Sequence, residues 1–386
     1  MGTHYSSREM IDRLIGFDTV SRNSNLDLIN FVADYLAGHG VEAVRVFNDD
    51  KTKANLYATV GPAREGGVVL SGHTDVVPVE GQPWDTDPFT VVEKDGRLYG
   101  RGTSDMKSFS AIALAKVPEM IEKGLSVPIH FALSYDEEIG CIGAPSMIEE
   151  IANTLPRPRA VIVGEPTMMD IVSAHKGIVT LKTTITGREA HSSLVEDGVS
   201  AVMVGAELIS FITGMMAENK ARASAESRFS PPYTTLTCGV VHGGTAPNII
   251  ARKCEFLWDI RHIPGDDPLS FVERFKAHCE TEVLPRMQAV AKEASIVTEI
   301  SSNVPALGPE DDGEAERICR AITGKNTTGA VSYAAEAGQF QQAGFSTVIC
   351  GPGSIGVAHQ PNEYIDIAQV AAAEKFISGL IDMLRK

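Results

Sequence analysis

The stretch VVLSGHTDVVP, residues 68–78, decides how this chain is read. It opens on three aliphatic residues, passes through Ser71 and Gly72, and ends on two polar side chains, His73 and Asp75. A short continuous apolar run suits a strand covered on both faces, as in parallel sheets. Polar side chains at its carboxyl end fall on the edge where open α/β sheets build their sites. Comparable runs recur at 55–60, 97–100, 127–134, 160–163 and 347–350. Helical patterns alternate with them. Ser104 reads as the N-cap of a helix through FSAIALAKVPEMIEKG that stops at Gly124, and further helices are expected over 142–151 and 367–385. The alternation predicts an α/β fold with a mostly parallel sheet flanked by helices.

The same placement of polar residues repeats. Asp105 follows LYGRGTS, Glu137 and Glu138 follow HFALSY, and Glu165 follows VIVG. The intervals are 32 residues from His73 to Asp105, 32 from Asp105 to Glu137 and 27 from Glu138 to Glu165. A βαβ unit takes about 30 residues, so each is expected at the carboxyl end of successive parallel strands. His359, beyond the strand TVIC and the loop GPGSIGVA, reaches the same edge. Singly, each has a bland reading: an HxD pair on a surface loop, a solvated Asp-Glu-Glu, a capping Asp105, a strand-ending Glu165. Together they form a set of carboxylates and imidazoles without thiolates, which suits zinc, cobalt or manganese. There are more donors than one tetrahedral ion uses, and a carboxylate bridging two ions uses them all. The adjacent Glu137 and Glu138 imply divided labour, one holding metal and one moving a proton.

The middle of the chain changes pattern. A strand at 177–186, a helix at about 198–219, strands at 233–242 and 253–262, a long helix at about 269–290 and a strand at 295–300 follow the ferredoxin-like order β-α-β-β-α-β. We therefore read 177–302 as a small domain inserted between the two parts, 1–176 and 303–386, of a larger one. The chain has 386 residues, and its net charge of −16 argues against a nucleic-acid partner. Its six cysteines include no CxxC pair, the pattern of a reduced, cytoplasmic protein, and we expect neither a secretory leader nor a membrane span.

The segments SGHTDVVP (71–78), GRGTSDMK (100–107), SYDEEIG (134–140), VGEPT (163–167), REAHSS (188–193) and AHQPNEY (358–364) resemble, in order, those of the zinc-dependent exopeptidase and deacylase family that includes carboxypeptidase G2, aminoacylase and succinyl-diaminopimelate desuccinylase. The resemblance implies a catalytic domain holding two zinc ions and a ferredoxin-like lid that also forms a homodimer. It implies that His73 and Glu165 hold one zinc, Glu138 and His359 the other, and that Asp105 bridges them. By the same resemblance Asp75 orients His73, Glu137 is the general base, and His191 on the lid donates to the oxyanion. Asn248 and Arg261, also on the lid, would bind the substrate carbonyl and carboxylate, with an interdomain salt bridge as the other reading of Arg261.

Within the family, AHKG (174–177), HGG (242–244), DIRHIPG (259–265), AEAGQF (335–340) and GPGS (351–354) are most similar to the branch that deacetylates N-acetyl-ornithine. That implies an N-acyl amino acid as the small-molecule substrate, with desuccinylation, N-acetyl-citrulline hydrolysis, acylase or dipeptidase activity as alternatives. Gln339 stands where the desuccinylases typically carry an arginine. Glu336 reads as a partner for the ornithine amine or as a structural carboxylate, His175 as a site residue or a packing one, and Lys107 as a surface charge.

Overall fold

The computed structural model describes residues 2–385, which divide into two compact units. Of the described residues the first comprises 2–174, 307–330 and 335–385, and the second His175–Ala306 and Val331–Ala334.

In the first unit, Val68–His73 is buried at every position and pairs in parallel with Ile129–Ser134 on one side and Ala160–Pro166 on the other. Those two strands are buried throughout as well, as apolar strands covered on both faces must be. Across the eight-stranded sheet the order is Ala43–Phe47, Ala54–Val60, Ile129–Ser134, Val68–His73, Ala160–Pro166, Thr347–Gly351, Val172–His175 and Gly329–Val331. The four strands from Ile129–Ser134 to Thr347–Gly351 are mutually parallel. Ala54–Val60 runs antiparallel to both of its neighbours. The helices contribute Ile29, Phe109, Ile112, Ile377 and Leu380 to a single core with Leu70, Phe131 and Ile162. Close approach dictates one glycine here: a Cβ on Gly164 would lie 2.0 Å from the Phe109 ring.

The structure corrects four expectations for this unit. Arg97–Tyr99 is not in the main sheet. It belongs to a three-stranded antiparallel sheet with Val92–Lys94 and Tyr364–Asp366, so Asp105 comes from a loop rather than from the end of a parallel strand. Ser104 does not cap the helix that follows: its hydroxyl donates to Ser354 O, and the helix Lys107–Ala115 begins without a side-chain cap. That helix breaks at Lys116 and restarts as Val117–Lys123, because Pro118 has no N–H to continue the ladder. Lys107 is no surface charge. It is 1% exposed and donates to Leu14 O and Phe17 O, and burial lowers its pKa to about 7.

In the second unit, four antiparallel strands lie in the order Thr235–Gly243, Lys253–His262, Gly177–Thr186 and Ser295–Val304. In Gly177–Thr186 buried and half-buried residues alternate strictly, which is how a sheet packs one face. That face meets the helix Ala201–Ala221, capped by Ser200, through Leu181, Phe256, Trp258, Leu208 and Ile212. Ala201–Ala221 is long and apolar enough to cross a membrane by length and composition, which qualifies the expectation of no such run. Here Leu208, Ile212 and Met215 pack on the sheet. The expected long helix at 269–290 is Pro268–His278 and Leu284–Val290 joined by a π turn, Cys279–Val283, placed just before Pro285, which has no N–H to donate. All six cysteines are free.

Candidate metal centre

The parallel strands deliver polar side chains to one edge of the sheet. His73 ends its strand, Glu137 and Glu138 follow Ile129–Ser134, and Glu165 lies near the end of Ala160–Pro166. Asp105 and His359 arrive on loops and complete the cluster. His73 Nε2 lies 3.1 Å from Asp105 Oδ1 and 3.7 Å from Glu165 Oε1. His359 Nε2 lies 3.2 Å from Asp105 Oδ2 and 3.0 Å from Glu138 Oε2. Asp105 thus turns one oxygen to each imidazole and is shared by two half-sites. Ligand atoms of His73, Asp105 and Glu138 lie within 4.8 Å of one another, as do those of His73, Glu137 and Glu165.

The electrostatics follow from crowding acids where water is scarce. Burial pushes the Glu165 carboxyl well above the usual range, and nearby Asp105 adds to it. Burial likewise raises Glu137, with Glu138, Glu336 and Asp105 adding repulsion. Hydrogen bonds donated by His359 to the carboxylates of Asp105 and Glu138 raise its pKa to about 10. Burial opposes a charge on His73, but Asp105, Asp75 and Glu165 together raise its pKa well above the ordinary value. The cluster therefore favours a cation among its carboxylates.

Asp75 acts through two different groups. His73 Nδ1 lies 2.8 Å from the backbone carbonyl of Asp75, whereas the nearer carboxylate oxygen is 3.6 Å away. That carboxylate instead accepts from the backbone N–H of Glu137 (3.0 Å) and of Glu138 (3.2 Å) and from the Ser21 hydroxyl (2.7 Å). His73 thus meets Asp75 through the main-chain carbonyl at hydrogen-bond distance and the carboxylate at ion-pair distance, and the same carboxylate holds the Glu137–Glu138 turn. The Cys141 thiol donates to Glu137 Oε1 at 3.2 Å, and the Gln339 amide donates to Cys141 O at 2.9 Å. Glu336 is 1% exposed and burial raises it to about 7, beside Ser134 and Ser71. It is thus a buried carboxylate close to Glu137, whose pKa it raises by repulsion.

Glu363 was not singled out in the sequence. It is completely buried, and its carboxylate accepts from Arg101 and from the backbone of Gly102, Ser104 and Asp105. Its only sequence signal is its place in AHQPNEY, four residues after His359.

His191, Asn248 and Arg261 lie in the second unit. His191 is exposed, with Nδ1 2.7 Å from the Ser193 hydroxyl, and it pairs through the main chain with Ile249. Asn248 is exposed and its carbonyl accepts from Ser192 N. Arg261 forms an ion pair with Asp259 of its own unit at 3.2 Å. His175 is fully buried, its Nδ1 2.8 Å from Lys176 O, and burial lowers its pKa to about 4.

The first unit's cluster fits divalent cations. Glu165 Oε1 is buried without a hydrogen-bond partner, a state that is costly unless a cation meets the oxygen. The donors are carboxylate oxygens and imidazole nitrogens, a set suited to zinc, cobalt or manganese.

Residues 69–383 match the model of peptidase family M20/M25/M40. The chain is 34% identical to the acetylornithine deacetylase of Proteus mirabilis (strain HI4320), over 95% of this chain and 92% of that one. Its likeness to the acetylornithine deacetylase of Yersinia pestis has the same identity and coverage. Among solved structures, the M20 family metallo-carboxypeptidase Sso-CP2 from Sulfolobus solfataricus superposes with a TM-score of 0.78 at 18% identity, covering 98% of this chain and 99% of that one. Bacillus subtilis YXEP, described as a dinuclear metal-binding peptidase of the M20 family, gives a TM-score of 0.66 at 14% identity and 98% coverage of both chains. The chain belongs to peptidase family M20/M25/M40, and it is a hydrolase acting on a linear amide.

Proposed function

We propose that this enzyme removes the acetyl group from N2-acetyl-L-ornithine, giving L-ornithine and acetate for arginine biosynthesis in the cytoplasm. The observation that carries the chemistry is Asp105, with one oxygen toward each of two imidazoles that other carboxylates also face. The choice of substrate is supported by the similarity to acetylornithine deacetylases over nearly the whole chain. It is also supported by the uncharged Gln339 at the place where desuccinylases typically carry an arginine, since an acetyl group has no carboxylate to pair.

His73, Glu165 and Asp105 would hold one zinc, and His359, Glu138 and Asp105 the other. When bound, such a pair supplies Lewis acidity to the amide carbonyl and lowers the pKa of water. Glu137, which the Asp75 carboxylate and the Cys141 thiol hold at the cluster, takes a proton from the attacking water. The water oxygen bonds to the acetyl carbon, the C–N bond breaks, and Glu137 passes the proton to the leaving amine nitrogen. His191 donates to the oxyanion, and Asn248 and Arg261 bind the substrate from a lid formed by the second unit. A homodimer through that unit is supported by its edge strand Thr235–Gly243, with Val240 and Val241 exposed, and by Met203, which is 74% exposed.

The test is a comparison of initial rates with saturating zinc or cobalt on N-acetyl-ornithine, N-succinyl-diaminopimelate, N-acetyl-citrulline and N-acetyl-methionine. The reading requires N-acetyl-ornithine to lead by tenfold or more in kcat/KM, about 1.4 kcal/mol. Turnover of another amide with N-acetyl-ornithine inert leaves the hydrolase and removes the substrate.

A further inference from the structure

Three of the five cluster ligands lie outside strands: Glu138 in the turn that the Asp75 carboxylate holds, and Asp105 and His359 on loops. Asp105 sits on the loop after Arg97–Tyr99, and His359 sits on the loop before Tyr364–Asp366 with φ of +62°, a backbone conformation that L side chains rarely adopt. Glu363 ties these loops together. Its Oε1 accepts from the backbone N–H of Ser104 at 2.8 Å, Asp105 at 3.0 Å and Gly102 at 3.1 Å, and its Oε2 accepts from Arg101 Nη1 at 2.6 Å. The Glu363 carbonyl accepts from Gly100 N at 2.9 Å. Arg101, itself 1% exposed, reaches Gln360 O at 3.3 Å and Gln82 Oε1 at 2.7 Å. The Gln82 amide in turn donates to the carbonyl of His359 at 3.0 Å. Glu363, Arg101 and Gln82 thus tie the Asp105 loop to the stretch 359–363, alongside the Ser104–Ser354 contact nearer the start of the His359 loop.

We propose that Glu363 is a positioning residue that couples the two half-sites. By locking the Asp105 loop to the His359 loop, it gives the His359–Glu138–Asp105 half its affinity for a divalent cation. The other half depends on it less, because His73 and Glu165 are held by strands paired on both sides. The inference rests on the two-cation reading given above. A charged acceptor for four donors is hard to replace: an amide offers one oxygen where the carboxylate offers two.

The experiment titrates chelator-stripped protein with zinc against a chromophoric competitor, with bound ions counted by plasma mass spectrometry and folding followed by circular dichroism. Wild type is compared with Glu363→Gln and with Gln82→Ala, a milder change at a half-buried residue. Wild type should take two zinc ions. In Glu363→Gln the second ion should weaken at least tenfold more than the first, and in Gln82→Ala at least threefold more. A folded Glu363→Gln in which both steps weaken equally, or neither does, overturns the coupling. If Glu363→Gln does not fold, an unchanged ratio of the two steps in Gln82→Ala overturns it instead. A wild type that takes only one zinc overturns the two-cation reading and the coupling with it. Two ions with an unchanged ratio overturn the coupling alone.

Discussion

Replacing Asp75 by asparagine separates its two roles. The substitution leaves the backbone carbonyl that faces His73 in place. It removes one of two carboxylate oxygens that together take three hydrogen bonds, from Glu137 N, Glu138 N and Ser21 Oγ. Asp75 is 2% exposed, so an amide nitrogen turned toward either backbone N–H leaves a donor that water cannot satisfy. A buried unsatisfied group costs about 1–3 kcal/mol and a hydrogen bond to a charged partner contributes about 1.5–3 kcal/mol, so the Glu137–Glu138 turn should lose about 2–4 kcal/mol. If that turn must be formed for catalysis, kcat falls by about 30- to 1,000-fold at 1.36 kcal/mol per tenfold. The assay is initial hydrolysis of N-acetyl-ornithine at saturating zinc, with bound ions counted in parallel. Zinc at the His359–Glu138 half should weaken, and zinc at the His73–Glu165 half should hold. A variant that keeps kcat within threefold, or that loses zinc first from the His73 half, refutes the assignment of the carboxylate to the turn.

Glu137→Gln should bind zinc like the wild type and lose about 10²–10⁴-fold in kcat, since it removes the proton carrier and keeps the shape; lost zinc would make Glu137 the ligand that its place beside His73 and Glu165 allows. His191→Ala should lower kcat by about 10²–10³-fold with zinc content and fold unchanged, the cost of an oxyanion donor, and an unchanged kcat removes His191 from the reaction. His130 tests the acid stability of the sheet: it is fully buried, with Nε2 unpartnered, and burial lowers its pKa from 6.5 to about 4. The unfolded chain takes this proton below about pH 6.5 and the folded chain only near pH 4, so stability present above pH 6.5 is lost between those values, by about 3 kcal/mol in all. Urea unfolding across that range should show the slope in wild type and a shallower one in His130→Gln; equal slopes place the acid sensitivity elsewhere.

The strands were legible because apolar runs of the Val68–His73 kind leave little choice, and the carboxylates at their ends stood out because such runs otherwise exclude charge. The order of strands and helices from 177 to 302 made the second unit equally plain. Arg97–Tyr99 was misplaced because three residues carry no information about which sheet they join. The break at Lys116 was present in the sequence as Pro118, but helical periodicity runs across it. Glu363, Asp75 and Glu336 show where sequence reading stops. A carboxylate in a polar loop looks the same whether it faces water or accepts from four buried donors, and only the fold tells which. Lys107 was misjudged for the same reason, its carbonyl partners at Leu14 and Phe17 lying far away along the chain.

The cluster draws on segments separated by the whole of the second unit: Glu165 precedes it and His359 follows it. During synthesis, a chain that has just completed the second unit already carries His73, Asp105, Glu138 and Glu165, but neither His359 nor Glu363. Four carboxyls counting Glu137 must then wait near one imidazole while about fifty more residues are made, and the pairing that completes the centre is among the most distant in the chain. Such long-range closures form late. The set of side chains is therefore complete only once the last part of the chain, with His359 and Glu363, has been made.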